Sequence, residues 1–130
     1  RVAIDLGIPT LRKTVLSGSP EERLSAQRIL ANLRAQTAFY LPRRFLEQGD
    51  APRAILMLSV AAEIDPDEPD VYYGLAAAHA RAGSDAAALA DLQRAVQRGF
   101  RRFEALETDP DFARLRESPA FQKWLAKARI

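Results

Sequence analysis

The sequence predicts an all-α protein, an α-solenoid of antiparallel helical hairpins. Three observations predict it. The 130-residue chain matches itself when shifted by 34 residues. Its apolar residues recur at the three- and four-residue steps that keep side chains on one helix face. Its Pro, Gly, Ser and Asp residues fall between those stripes, in the order that starts and stops helices. A self-match at this period is the mark of stacked supersecondary units.

The elements follow in order. Pro9 to Leu16 predicts a short helix ended by Gly18. Ser19-Pro20-Glu21-Glu22 is a helix start, with a cap, a proline at the first position and acids in the first turn. Leu30, Leu33, Thr37 and Leu41 carry its apolar stripe forward, and Phe45 continues the spacing. Pro42 interrupts this stripe, because a straight helix there loses a hydrogen bond to Ala38 and strikes its carbonyl with the ring. A break, or a kink above about 20°, is therefore expected between Ala38 and Pro42. It would turn the N-terminal segment into a wall, with Phe39 and Arg43 set toward the second hairpin.

Gly49 stops this helix and Asp50 caps the next, whose stripe is Ala54, Leu58, Ala61 and Ala62, with Pro66 closing the hairpin. Asp67 is the expected cap of the following helix, with Pro69 and Asp70 in its first turn and Tyr72, Leu75, Ala76 and His79 on one face. Gly83 ends it, Ser84 caps the next, and Ala88, Leu92, Ala95 and Val96 form the stripe that Gly99 stops. Two further starts, at Asp109-Pro110 and Ser118-Pro119, bring Phe112, Leu115, Phe121, Trp124 and Leu125 as apolar cover.

At the shift of 34, Leu41 meets Leu75, Gly49 meets Gly83, Ala54 meets Ala88, Leu58 meets Leu92 and Ala61 meets Ala95. Phe39 with Tyr73, Ile55 with Leu89 and Ala62 with Val96 are similar pairs. Over about residues 36–99 these positions, with Pro66 after the second helix, resemble the tetratricopeptide repeat family. Small residues let two helix backbones approach, and large ones fill the holes between them. Pro42 and Phe100 depart from the family pattern, and no third good match follows. The resemblance implies one domain over 1–130, with capping helices over 1–35, hairpins over 36–68 and 69–102, and closing helices over 103–130. The tail resembles the segment that closes bacterial members of the family.

The resemblance also implies a concave groove lined by the first helix of each hairpin. By register its residues are Phe39, Arg43, Leu46 and Glu47, then Tyr73, Ala77, Ala80 and Arg81. The family's lysine and asparagine clamp for a C-terminal carboxylate is missing. Aromatics and arginines beside small residues suit an extended or helical protein segment instead.

Composition removes other classes. Cysteine is absent, which excludes disulfides, thiolate metal sites and cysteine nucleophiles but leaves cytoplasm and periplasm both open. No apolar run nears the roughly 18 residues that cross a bilayer, and the first ten residues lack the pattern of a signal peptide. The chain does not begin with Met, so it is expected to be a processed protein or a domain of a larger one. The net charge of +2 is too small to imply nucleic acid by itself. His79, the sole histidine, stands where the family packs an aromatic, and no carboxylate is expected beside it. Glu63 to Asp70 reads as a turn with capping acids, since prolines interrupt it and a calcium loop's glycine is missing. No nucleophile elbow, phosphate loop or zinc-protease motif is present.

The expected function is protein–protein interaction or scaffolding, with no enzyme activity, no cofactor and no metal. The Ala/Arg-rich composition and the tail point to an accessory domain of a larger bacterial protein. Regulation of a fused enzyme, self-association through the groove, and nucleic-acid contact through Arg94, Arg98, Arg101 and Arg102 stay open as alternatives.

Overall fold

A computed structural model of the chain describes residues 7–130. The first six residues, which belong to the expected N-terminal cap and to the stretch searched for a signal peptide, lie outside the described residues. The helices are α1 (Ile8–Ser17), α2 (Pro20–Ala35), α3 (Leu41–Glu47), α4 (Ala51–Ile64), α5 (Pro69–Arg81), α6 (Asp85–Gln97), α7 (Phe103–Thr108) and α8 (Pro119–Ala128). Among the described residues there is no strand, and no helix is long and apolar enough to cross a membrane.

Local chemistry sets the boundaries. Ser19 accepts from the Glu22 N–H while the Glu22 carboxylate accepts from the Ser19 N–H, a reciprocal cap that fixes the start of α2. The Ser19 bonds also hold the Glu22 carboxyl below the usual carboxylate range. Gly49, Gly83 and Gly99 all take positive φ just after α3, α5 and α6. At Gly83 the φ of +79° is what favours glycine, since the Arg114 guanidinium that a Cβ would meet at 2.6 Å is the end of a flexible side chain and can move aside. The cap of α5 is Glu68, whose carboxylate accepts from the Asp70 N–H, one residue after the expected Asp67.

Pro42 does not break the chain. The helical backbone runs on from α2 into α3 through a π-helical turn, Gln36–Tyr40, with αR angles at Ala35, Gln36, Tyr40 and Leu41. The Leu41 N–H reaches back five residues to the Gln36 carbonyl. This wider turn makes room for the pyrrolidine ring without ending the helix. The apolar stripe slips by one residue as a consequence. Ala26, Leu30 and Thr37 are buried, and the next buried position is Pro42 rather than the expected Leu41. The Thr37 hydroxyl is satisfied by the Leu33 carbonyl at 2.7 Å.

α3 packs on α4, α4 on α5, and α5 on α6, as sequential hairpins do. Ala54, Ala61, Ala76, Ala88 and Ala95 are fully buried at these crossings, with Leu58, Leu75 and Leu92 between them. α1 and α2 form a smaller second cluster, in which Ile8 and Leu30 meet Val60 and Ile64 of α4.

The tail keeps the repeat's period although its residues do not. The step from Pro69 to Phe103, which open α5 and α7, is 34, and so is the step from Asp85 to Pro119, which open α6 and α8. α7 was not apparent in the sequence. It stops at Thr108, and Asp109-Pro110 opens only a 3₁₀ turn, Pro110–Phe112, not a helix. Phe112, Leu115 and Phe121 from this tail are buried in the main core.

Candidate functional site

α3 and α5 open the two hairpins and present faces to the same side. Between them lies a cleft of about 390 Å³. Seven of the eight residues assigned to the groove from the sequence line it: Phe39, Arg43, Leu46, Glu47, Tyr73, Ala77 and Arg81. Ala38, Pro42, Leu58, Gly74 and Asp111 complete the lining. Ala38, Gly74 and Ala77 are the small members, and a Cβ on Gly74 would come within 3.1 Å of Leu58 Cδ2.

Ala80 is not brought into the cleft. At 3% exposure it belongs to the main core, because α5 is packed by α4 on one side and α6 on the other. It sits about 100° round α5 from Arg81, on the packed side of the helix rather than the open one.

The two walls differ in how firmly their side chains are held. On α5, the Tyr73 hydroxyl donates to Asp109 Oδ2 at 2.6 Å, and its ring stacks on Phe100 at 5.1 Å. Burial, then the Asp109 carboxylate, pushes the Tyr73 phenol well above its usual range. Arg81 donates to Asp111 Oδ1 at 3.1 Å and to the Leu46 carbonyl at 3.4 Å. The Asp111 carboxyl is raised, first by burial and then by Asp109, with Arg81 opposing. Asp109 and Asp111 thus belong to the site although sequence reasoning read the segment only as a helix start.

The α3 wall is free. Phe39 is 64% exposed, and neither Arg43 nor Glu47 has an ion-pair partner among the described residues. Ala38 and Phe39 also line a second cleft of about 310 Å³ with Arg34, Asp65, Glu68, Asp70 and Val71. Phe39 therefore stands where a mixed-charge surface meets an acidic one.

The arginine cluster is committed within the chain. Arg94 pairs with Asp91, and Arg98 donates to the Pro66 carbonyl at 2.6 Å. Both guanidiniums lie over the Tyr72 ring, at 4.9 and 4.6 Å. Arg101 donates to the Phe100 and Val96 carbonyls, while Arg102 pairs with Asp70 at 2.7 Å and covers Tyr73 and Phe100.

His79 corrects the expectation that no carboxylate would stand beside it. Its Nδ1 is 2.6 Å from Asp91 Oδ2, and Asp91 is only 2% exposed. Asp91 sits among Ala88, Leu92 and Ala95 on α6, where its polarity hid a buried position. No group of three His, Cys, Asp or Glu residues placed to hold a metal exists among the described residues.

Residues 43–83, which run from α3 through α4 and α5, match the family model of the TPR repeat. No curated protein and no solved structure matches the chain.

Proposed function

Because the chain carries a TPR repeat, a unit that generally mediates protein–protein interaction, we propose that it takes a peptide or helical segment of another protein in the cleft between α3 and α5. The observation that carries this reading is the exposed Phe39 beside the unpaired Arg43 and Glu47, above the small side chains of Ala38 and Ala77. An aromatic face and a free guanidinium one turn apart favour a partner with a large apolar residue and a carboxylate. α5 forms a rigid opposite wall, since the tail holds Tyr73 and Arg81 in place.

In this reading 36–68 and 69–102 are the two hairpins, 1–35 and 103–130 are their caps, and the whole serves as an accessory domain of a larger protein. The arginine cluster is the weaker candidate surface in this reading, since its four side chains already have partners within the chain.

Peptide display against the protein, followed by fluorescence anisotropy on selected peptides, tests the reading. Phe39→Ala and Arg43→Glu should each weaken binding about tenfold or more, while Arg129→Ala should not. Selected peptides that bind all three variants equally would sink it.

A further inference from the structure

Three arginines of this chain each sit between an aromatic ring and a carboxylate. Arg53 lies over Phe45 at 5.8 Å and pairs with Asp50. Arg94 lies over Tyr72 and pairs with Asp91, and Arg102 lies over Tyr73 and pairs with Asp70. The arrangement has a physical reason. A guanidinium is planar, so it stacks on the ring face while its edge N–H groups meet the carboxylate.

Phe39 has the ring and the carboxylates without the guanidinium. It lines the cleft of about 310 Å³ with Asp65, Glu68 and Asp70, and no cation lies over its ring among the described residues. The ring is 64% exposed, carried on the π-helical turn Gln36–Tyr40. Charge points the same way. Arg34 pairs with Asp65 at 3.8 Å and Arg102 with Asp70. Glu68 is half-buried, meets no cation, and accepts only from the Asp70 N–H. Three carboxylates against two guanidiniums leave the cleft one negative charge. Ala38 and Val71 make the rest of its lining apolar, which suits the alkyl stem of a long basic side chain.

We propose that this cleft takes one arginine side chain of the protein segment bound in the concave cleft, its guanidinium stacked on Phe39 and bonded to Glu68. The inference rests on the reading of the concave cleft given above and deepens it. Ala38 and Phe39 border both clefts, so a segment that leaves the first past Phe39 enters the second. The partner then carries an arginine for Glu68 besides its large apolar residue and its carboxylate for Arg43.

Acetyl-arginine amide is the probe, with acetyl-citrulline amide as its uncharged isostere. Both are titrated into the protein and followed by the NMR methyl signals of Ala38 and Val71. The arginine amide should shift these signals saturably and bind about fivefold or more tighter than the citrulline amide. Glu68→Gln keeps an oxygen for the Asp70 N–H and should weaken the arginine amide about threefold, as should Phe39→Leu. Leu16→Ala, an exposed site elsewhere, should leave it unchanged. Equal binding of the two amides, or wild-type affinity in Glu68→Gln, would overturn the proposal. Display-selected peptides then join the clefts: exchanging their arginine for citrulline should weaken binding about fivefold to wild type and much less to Glu68→Gln. Peptides that need Arg43 yet carry no arginine, or keep full affinity with citrulline, would overturn this proposal and leave the concave reading standing. Peptides that need neither Phe39 nor Arg43 would overturn the concave reading, and the shared segment with it.

Discussion

Leu58→Ala is the sharpest test of how this fold is held together. Leu58 is 2% exposed, belongs to the main core, and lies directly under Gly74, whose missing side chain leaves room for it. Truncation removes three heavy atoms from the α4–α5 crossing and leaves a void. Buried leucine truncations cost about 2–5 kcal/mol, with the higher values where the void stays closed. Leu58 also lines the concave cleft, so water can reach the space, and the lower part of the range applies, about 2–3 kcal/mol. At roughly 3–4 °C per kcal/mol for a chain of this size, the melting temperature should fall about 6–12 °C. Urea and thermal melts beside Leu16→Ala provide the measurement. Leu16 is 82% exposed, so its truncation should stay within about 0.5 kcal/mol. A loss below about 1 kcal/mol in Leu58→Ala, or equal losses in the two variants, would refute the packing argument.

Further outcomes follow from other features. Gly83→Ala should cost about 1–2 kcal/mol in the same melts, because φ is +79°, where an L side chain is strained. Tyr73 has a raised phenol in the folded state, so the stability it contributes is intact below about pH 10 and lost as pH rises above it. Alkaline melts should show wild type losing stability faster than Tyr73→Phe between about pH 10 and 11. Asp111 is also raised, so the folded chain binds its proton more readily than the unfolded chain does. Wild type should therefore gain stability relative to Asp111→Asn as pH falls toward about 4, which acid-side urea melts would detect.

Most of the hairpin geometry was legible because it is written in local chemistry. The Ser19–Glu22 cap, the three glycines after α3, α5 and α6, and the alanine stripes of α4 and α6 all act within a few residues of their own position. Register then put Phe39, Arg43, Tyr73 and Arg81 on one surface, since a 34-residue step superposes like helices. What stayed hidden is long-range or compensatory. Asp111 lines the cleft and Asp109 holds the Tyr73 hydroxyl only because α7 ends early and the tail turns back on α5. Asp91 falls on the buried stripe, three residues after Ala88 and four before Ala95, but its charge hid it; His79 on α5 and Arg94 on α6 together make the position tolerable. Ala80 lies outside the cleft because it is turned about 100° round α5 from Arg81, toward the packed side.

The π turn before Pro42 has a consequence for how this helix tolerates changes of length. Thr37 within the turn and Pro42 just after it, successive buried residues, are five apart, where an ordinary helix would place the next core position three or four along. The segment behaves as though it holds one surplus residue, looped into the turn. Deleting the exposed Tyr40 should return the two halves of the stripe to a single phase, provided that Pro42 is replaced by Ala in the same chain. A one-residue deletion within α2 itself, between Ala26 and Leu30, has no such reserve to draw on. It would swing the residues on one side of the deletion by about 100° about the helix axis and pull Leu30 away from Ile8, Val60 and Ile64. Length variants along one continuous helix would therefore sort by position, with the surplus at 36–40 marking where a deletion keeps both ends in phase.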